Sequence, residues 1–450
     1  MNDYYLPIHH EYNLCKLTIE GKIPHDLNGI LYRNGPNPIF YPKNHHHHLF
    51  DGDGMVHAFY INSVCSQSIY YSNKWIKTER FKIENRNNKA VFGGLLDTPK
   101  TKLNFNMINK AYNTSNTNLL YFNRNLYSLW EFGLPYKIDP FTLSTLNQSH
   151  LNRDYNLGAF TAHPKIDPIT GELLAVSYNG DENLPACHVT ITSHLNETKL
   201  NVDVKTPYRS MMHDFAFTKE YIVIPVFPAI IDFSGRSPHI INWNPSGLSY
   251  VGILPRNSTN GEVKHWFTLP SCFVYHFVNA YQNQRHQIIL DAVVNDIVPL
   301  FVTENNQIKN PSYSRLIRWI FDLENKTYHE FLLDESNLFY HFPHCYQNLL
   351  GQIYDTVYAY VQDSNIHQII KLNLTTKKKL IYCGKEHFAL SEPICIATTS
   401  GEYILVIETS YIFNQSSLLI FDTNNLITPI VIAKLPERIP CGFHGLWLDS

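Results

Sequence analysis

The 450-residue sequence predicts an all-β architecture, and three observations carry that reading. Turn-forming clusters recur along the whole chain: NGPNP, DGDG, DPITG, NPSG, TNGE, TSGE and DTNN. Between them lie short runs rich in Val, Ile, Tyr and Phe. Long amphipathic helical patterns are scarce.

Taken in order, the runs are MVHAFYI, LLAVSY, YIVIPVF, IILDAVV, TVYAYV, YILVIE and LLIFD. Each has the length of a strand, and β-branched and aromatic side chains suit a buried pleated surface. The longest apolar segments, Tyr221–Phe233 and Gln287–Val302, contain proline or aspartate and read as buried strands rather than membrane spans. No Pro- or Ser-rich linker divides the chain, so residues 1–450 read as one domain. A single sandwich of this size would be oversized, whereas four-stranded blades repeated round an axis extend to it without enlarging any one core. Seven blades would average roughly 64 residues each. Without an exact internal repeat, pattern alone does not set the blade count.

Composition excludes several functions. With 36 basic and 39 acidic residues, net charge is −3, which does not suit a nucleic-acid partner. The eight cysteines stand singly, as reduced thiols of a cytosolic protein would. The opening MNDYYLPIHHEYNL has neither the basic region nor the apolar run of a signal peptide.

Four of the 23 histidines sit in markedly apolar or structurally fixed contexts: His163, His213, His276 and His444. Their spacing is blade-sized or a multiple of it, so each could come from a different blade and meet on the axis. A buried, hydrogen-bonded core histidine is the plainer reading of any one of them. Other features attract less weight. The run His45–His48 reads as a solvated loop. Asp51 and Asp53 lack the spacing and terminal glutamate of a calcium-binding loop and read as a tight turn. Cys441, near His444, lacks the further cysteines that a structural zinc site needs.

Ordered motifs extend over nearly the whole chain. They are NGPNP (34–38), FDGDGMVHAF (50–59), FGGL (92–95), LWEFGLPYKIDP (129–140), the AHPK and DPITGEL block (162–173), MMHDFAFT (211–218), HFVNAY (276–281), SEP (391–393) and the segment from Leu435 to Trp447. In this order they resemble the carotenoid cleavage oxygenases. The resemblance implies a seven-bladed β-propeller, with a cap of loops and short helices over the active-site face and an apolar tunnel. It carries four Fe(II) ligands onto His163, His213, His276 and His444, with dioxygen as co-substrate. Neutral imidazoles suit a divalent first-row metal and leave coordination positions open.

It also implies glutamates that accept the outer ring proton of ligating histidines: Glu131 for His213 and Glu392 for His444. The expected third glutamate is replaced by His341, in HFPHCY, as the partner of His276. Thr117 matches a threonine that crowds an open coordination position, although a turn or cap would equally explain it. Trp130 resembles the aromatic wall of carotenoid cleavers, where stilbene cleavers characteristically have lysine. Tyr275 and Met211 are further candidates to line the tunnel. The implied activity is oxidative cleavage of a conjugated C=C bond in a carotenoid or apocarotenoid, giving two carbonyl products. Alternatives on the same fold are a stilbenoid-cleaving enzyme, a non-catalytic propeller that binds an apolar ligand, and retinoid isomerase-like chemistry. The expected location is cytoplasmic, with an apolar patch for peripheral membrane contact.

Overall fold

The structure is a computed structural model and describes residues 6–40, 48–95, 102–151, 158–237, 239–299, 314–336, 338–363 and 366–449. Seven antiparallel sheets form the blades of a β-propeller. Blade I contains, in hydrogen-bonded order, Cys15–Lys16, Ser68–Trp75, Gly54–Asn62, Gly29–Pro36 and Gly445–Asp449. Blade II is a meander over 118–148, blade III over 165–204, and blade IV over 216–269, with an added hairpin of Ala229–Ile231 and Ile241–Trp243. Blades V and VI are meanders over 273–332 and 339–383. Blade VII joins Thr18–Gly21 to Val431–Lys434, Gln415–Asp422 and Glu402–Ser410; both Ala389–Leu390 and Ile394–Ala397 pair with the last of these.

The middle strands are apolar on both faces because each face packs on a different neighbour. Leu173–Tyr178 and Ile288–Asn295 are buried at every position. Val294 belongs to the core shared by blades III to V, while the adjacent Val293 belongs to the core between V and VI. Separate apolar clusters likewise join VI to VII, VII to I, I to II and II to III. The outer strand Thr327–Leu332 is largely exposed. This gradient, with the core distributed between blades, lets the ring grow without a large central core.

Two seams close the ring. Thr18–Gly21 adds to blade VII by pairing with Val431–Lys434, and Gly445–Asp449 adds to blade I by pairing with Gly29–Arg33. Gly21 is required at the first seam: its φ is +93°, and a Cβ there would lie 2.1 Å from the carbonyl oxygen of Ile430.

Two short helices lie in the connection between blades I and II. Helix α1 (Glu79–Asn87) begins at Thr78, whose hydroxyl accepts from the Phe81 N–H, and ends at left-handed Asn88. Helix α2 (Phe105–Ala111) is capped by Asn104. Arg80 of α1 donates to the carbonyls of Gly93 and Ala111, tying the two together. The DGDG turn is held by its own carboxylates: Asp51 accepts from the backbone of Leu95 and His48, and Asp53 from that of Ile39. His45, His46 and His47 lie outside the described residues. All eight cysteines are free thiols. No helix among the described residues is long and apolar enough to cross a membrane.

Candidate metal centre

The four histidines, Thr117 and Glu392 sit at or near the beginnings of the innermost strands of their blades. Thr117 precedes Asn118–Phe122 of blade II, His163 precedes Lys165–Ile166 of blade III, and His213 precedes Ala216–Phe217 of blade IV. His276 lies within Phe273–Gln282 of blade V, at a bulge that interrupts pairing between Val274 and Phe277. Glu392 falls between the two short inner strands of blade VII, and His444 precedes Gly445–Asp449 of blade I.

The four histidines come together. Nε2 of His163 is 3.0 Å from that of His213, which is 3.3 Å from His276, which is 3.2 Å from His444. All four candidate ligand atoms lie within 4.8 Å of one another. Three groups tie these segments together: Lys165 pairs with Asp214 at 2.7 Å, and Asp214 accepts from the Phe277 N–H at 2.9 Å.

The outer nitrogens of two rings are held by carboxylates. Glu131 pairs with Nδ1 of His213 and also accepts from the Tyr178 hydroxyl. Glu392 lies 2.8 Å from Nδ1 of His444, and its second oxygen accepts from the Gly445 N–H at 2.7 Å. Burial raises the Glu392 carboxyl, but His444 and His344 outweigh it and hold the group well below the usual carboxylate range. Burial, reinforced by the neighbouring imidazoles, holds His163 and His276 well below the ordinary histidine value. With Nδ1 donating outward, a neutral ring turns a lone pair inward, and several such lone pairs in contact repel unless a cation stands among them. Nitrogens at right angles around an ion ~2.1 Å away would be ~3.0 Å apart, close to the separations seen. The donor set therefore fits one divalent first-row metal ion.

The centre opens onto a cavity of about 600 Å³. Thr117, Trp130, Met211, Tyr275 and His341 all line it, as do His213, His276 and His444. Thr117 donates to Asn116 through its hydroxyl, and its carbonyl accepts weakly from the His444 N–H. Trp130 stands edge-to-face with Phe132 at 5.5 Å, and Tyr275 does so with His213 at 5.0 Å. Cys441 lines the cavity too but is not part of the histidine cluster.

His341 requires a correction. It does not orient His276. Its ring tilts over that of Tyr360 at 5.6 Å and makes no hydrogen bond with any described residue. The following residue, Phe342, has φ +45° and packs on both His276 and His444, at 5.3 and 5.2 Å. The strand bulges between His341 and His344, turning their side chains off simple alternation. His344 is instead the residue that reaches the centre, with Nε2 2.8 Å from the Glu392 carboxylate it shares with His444. No carboxylate among the described residues pairs with His276. His344 and Tyr178 are therefore the neighbours that sequence reasoning missed. The first was visible only as a second histidine in HFPHCY, and the second had no signal within a strand.

A propeller with four histidines converging at one end of its axis, backed by carboxylates and open to a cavity, defines a class of metal-dependent oxygenase. The family model described as retinal pigment epithelial membrane protein matches residues 5–449. The chain belongs to this family, the carotenoid cleavage oxygenases, which are non-haem iron oxygenases that cleave alkenes. Resveratrol cleavage oxygenase 1 of Aspergillus fumigatus is 28% identical over 478 residues, spanning 99% of this chain and 94% of its own. Carotenoid 9,10(9',10')-cleavage dioxygenase 1 of Pisum sativum is 28% identical over 481 residues, spanning 96% and 86%. The solved lignostilbene dioxygenase of Pseudomonas brassicacearum superposes with a TM-score of 0.88 at 26% identity, spanning 99% of this chain and 97% of its own.

Proposed function

We propose that this chain uses Fe(II) and dioxygen to cleave a conjugated C=C bond of a carotenoid or apocarotenoid. The C=C and O=O bonds break and two carbonyl groups form, so all atoms are accounted for. The observation that carries this reading is the convergence of four Nε2 atoms beside a cavity walled by Trp130. His163, His213, His276 and His444 would hold the iron, which supplies the activation of dioxygen beside the alkene.

The chain's own groups do the positioning. Glu131 and Glu392 fix the rings of His213 and His444 and make them more electron-rich ligands. Trp130 and Phe132 offer aromatic surface for stacking on a polyene and displace water. Among the described residues that line the cavity none is lysine, the side chain expected of a stilbene cleaver.

A second reading, cleavage of a stilbenoid, is favoured by the names of the Aspergillus and Pseudomonas relatives. Product analysis after aerobic incubation of the iron-loaded protein with carotenoids, apocarotenoids and hydroxystilbenes separates the two. Aldehydes from polyenes support the first reading; rapid cleavage of hydroxystilbenes with polyenes untouched gives the assignment to the second. Replacing any one of the four histidines with alanine should abolish turnover in a folded protein, and full activity in one such variant removes that residue from the ligand set.

A further inference from the structure

Each of the two carboxylates behind the histidine cluster is shared with one further side-chain donor. Glu131 divides its oxygens: Oε1 meets Nδ1 of His213, and Oε2 accepts from the Tyr178 hydroxyl. Glu392 does not. Its Oε1 lies 2.8 Å from Nδ1 of His444 and 2.8 Å from Nε2 of His344, while Oε2 accepts from the Gly445 N–H at 2.7 Å. A carboxylate only accepts, so both ring nitrogens carry hydrogen and compete for one oxygen.

The competing ring ends the inner strand Phe339–His344 of blade VI. It lines a second cavity, of about 190 Å³, which also touches His163, His276 and His444. Asn118, Lys165 and Asp214 border that cavity, so the cluster has polar neighbours on this side and Trp130 and Phe132 on the other. The His344 side chain is 32% exposed, against 2% for Glu392, and its hydrogen bond to Glu392 is the one it makes with a described residue. A carboxylate behind a ligating histidine draws on the outer N–H and makes the ring a stronger donor to the metal. A second N–H on the same oxygen takes up part of that negative charge, and the pull on His444 weakens. The weaker donor favours the ferrous state, because a ferric ion gains more from an electron-rich ligand than a ferrous ion does.

We propose that His344 is a positioning residue that tunes the bound metal through Glu392: by sharing Oε1 it restrains His444 as a donor and favours the ferrous ion. The proposal rests on the reading of the four histidines as an iron site. It gives a role to a side chain that touches neither the cluster nor the large cavity.

The test compares the wild type with His344→Phe and His344→Gln. Co(II) affinity is measured by chelator competition, and the ferric/ferrous midpoint potential of the iron-loaded chain by redox titration under nitrogen. Loss of the competing N–H in His344→Phe should tighten Co(II) binding roughly 3–10-fold, a part of the 10–100-fold that outer partners of ligands carry. The midpoint potential should fall in the same variant. His344→Gln, whose amide donates from about the same place, should return both quantities toward the wild type. The sign separates this role from a structural one, since loss of a residue that merely held Glu392 in place would weaken Co(II) binding. Weaker or unchanged binding in His344→Phe, or a tightening that His344→Gln does not reverse, overturns the proposal. The thermal midpoint of the metal-free chain checks folding, and His344→Leu takes the place of a His344→Phe that fails it. A wild type that takes up neither Co(II) nor Fe(II) overturns the iron reading together with this proposal; metal uptake with the wrong sign overturns this proposal alone.

Discussion

Glu392 ties several groups around the centre together. It orients His444, accepts from the Gly445 N–H, pairs with His344 and lies 3.6 Å from Arg33. Glu392→Gln keeps the shape but removes the charge, and should weaken metal binding roughly 10–100-fold, the usual effect of losing an outer partner of a ligand. Chelator competition measures this; an unchanged affinity would mean that hydrogen bonding alone suffices. His57 gives a second prediction at the same scale. Fully buried and 2.7 Å from the Tyr71 hydroxyl, it is pushed by burial, and then by Arg33, down to about 3. An unfolded histidine titrates near ~6.5, so below that pH the unfolded chain takes a proton that the folded chain refuses. Stability from this group is intact above pH ~6.5 and falls on acidification, by about 2 kcal/mol at pH 5. Urea unfolding of the wild type and His57→Phe at pH 7.5 and 5 should show a smaller acid loss in the variant; equal losses would place the acid sensitivity elsewhere. The cavity wall adds a third. If the substrate is a polyene, Trp130→Ala should change which chain lengths are cleaved, by roughly 1–3 kcal/mol of discrimination per methylene at most. Product profiles across a chain-length series check it.

At the scale of elements, much of the fold was legible in the sequence and some of it was not, for definite reasons. Strands such as Leu173–Tyr178 stand out as continuous apolar runs because both faces are buried between blades. Lys165–Ile166 and Ala216–Phe217 are only two residues long, too short for any periodicity, although they carry the candidate ligands to the axis. The seam strand Thr18–Gly21 reads TIEG and is mostly exposed, so no hydrophobic pattern announces its long-range pairing. The misplacement of His341 has the same kind of origin: one residue at φ +45° shifts the alternation on which face assignments rest. Convergence of the four histidines was legible through ordered motifs, whereas their intervals alone left a core role open. The seam itself is testable. Gly21→Ala forces a positive φ on a residue with a Cβ and drives that atom into the Ile430 carbonyl. It should cost about 1–3 kcal/mol in urea unfolding, the range of a strained backbone position. A midpoint equal to that of the wild type would show that the seam relaxes freely.

For the molecule as a whole, the centre gathers one histidine from each of blades I, III, IV and V, so a bound ion clamps four blades at once. A divalent ion held by the four histidines would bind the folded ring and should raise its unfolding free energy by about 2.7 kcal/mol when free metal is 100-fold above the dissociation constant. Calorimetry with and without chelator reads this directly, and an unchanged midpoint would show that the ion does not bridge the blades.

The second seam has a consequence for how the protein is made. His444 directly precedes Gly445–Asp449, the strand that completes blade I by pairing with residues 29–33. Three histidines can be synthesised and their blades formed while the fourth is still inside the ribosome. Because those partners lie more than 400 positions apart in the chain, this pairing carries a large loop-closure cost and forms late. A site that needs all four histidines would then be complete only once Gly445–Asp449 has paired with residues 29–33. The metal content of a preparation would then report the fraction of rings that have closed.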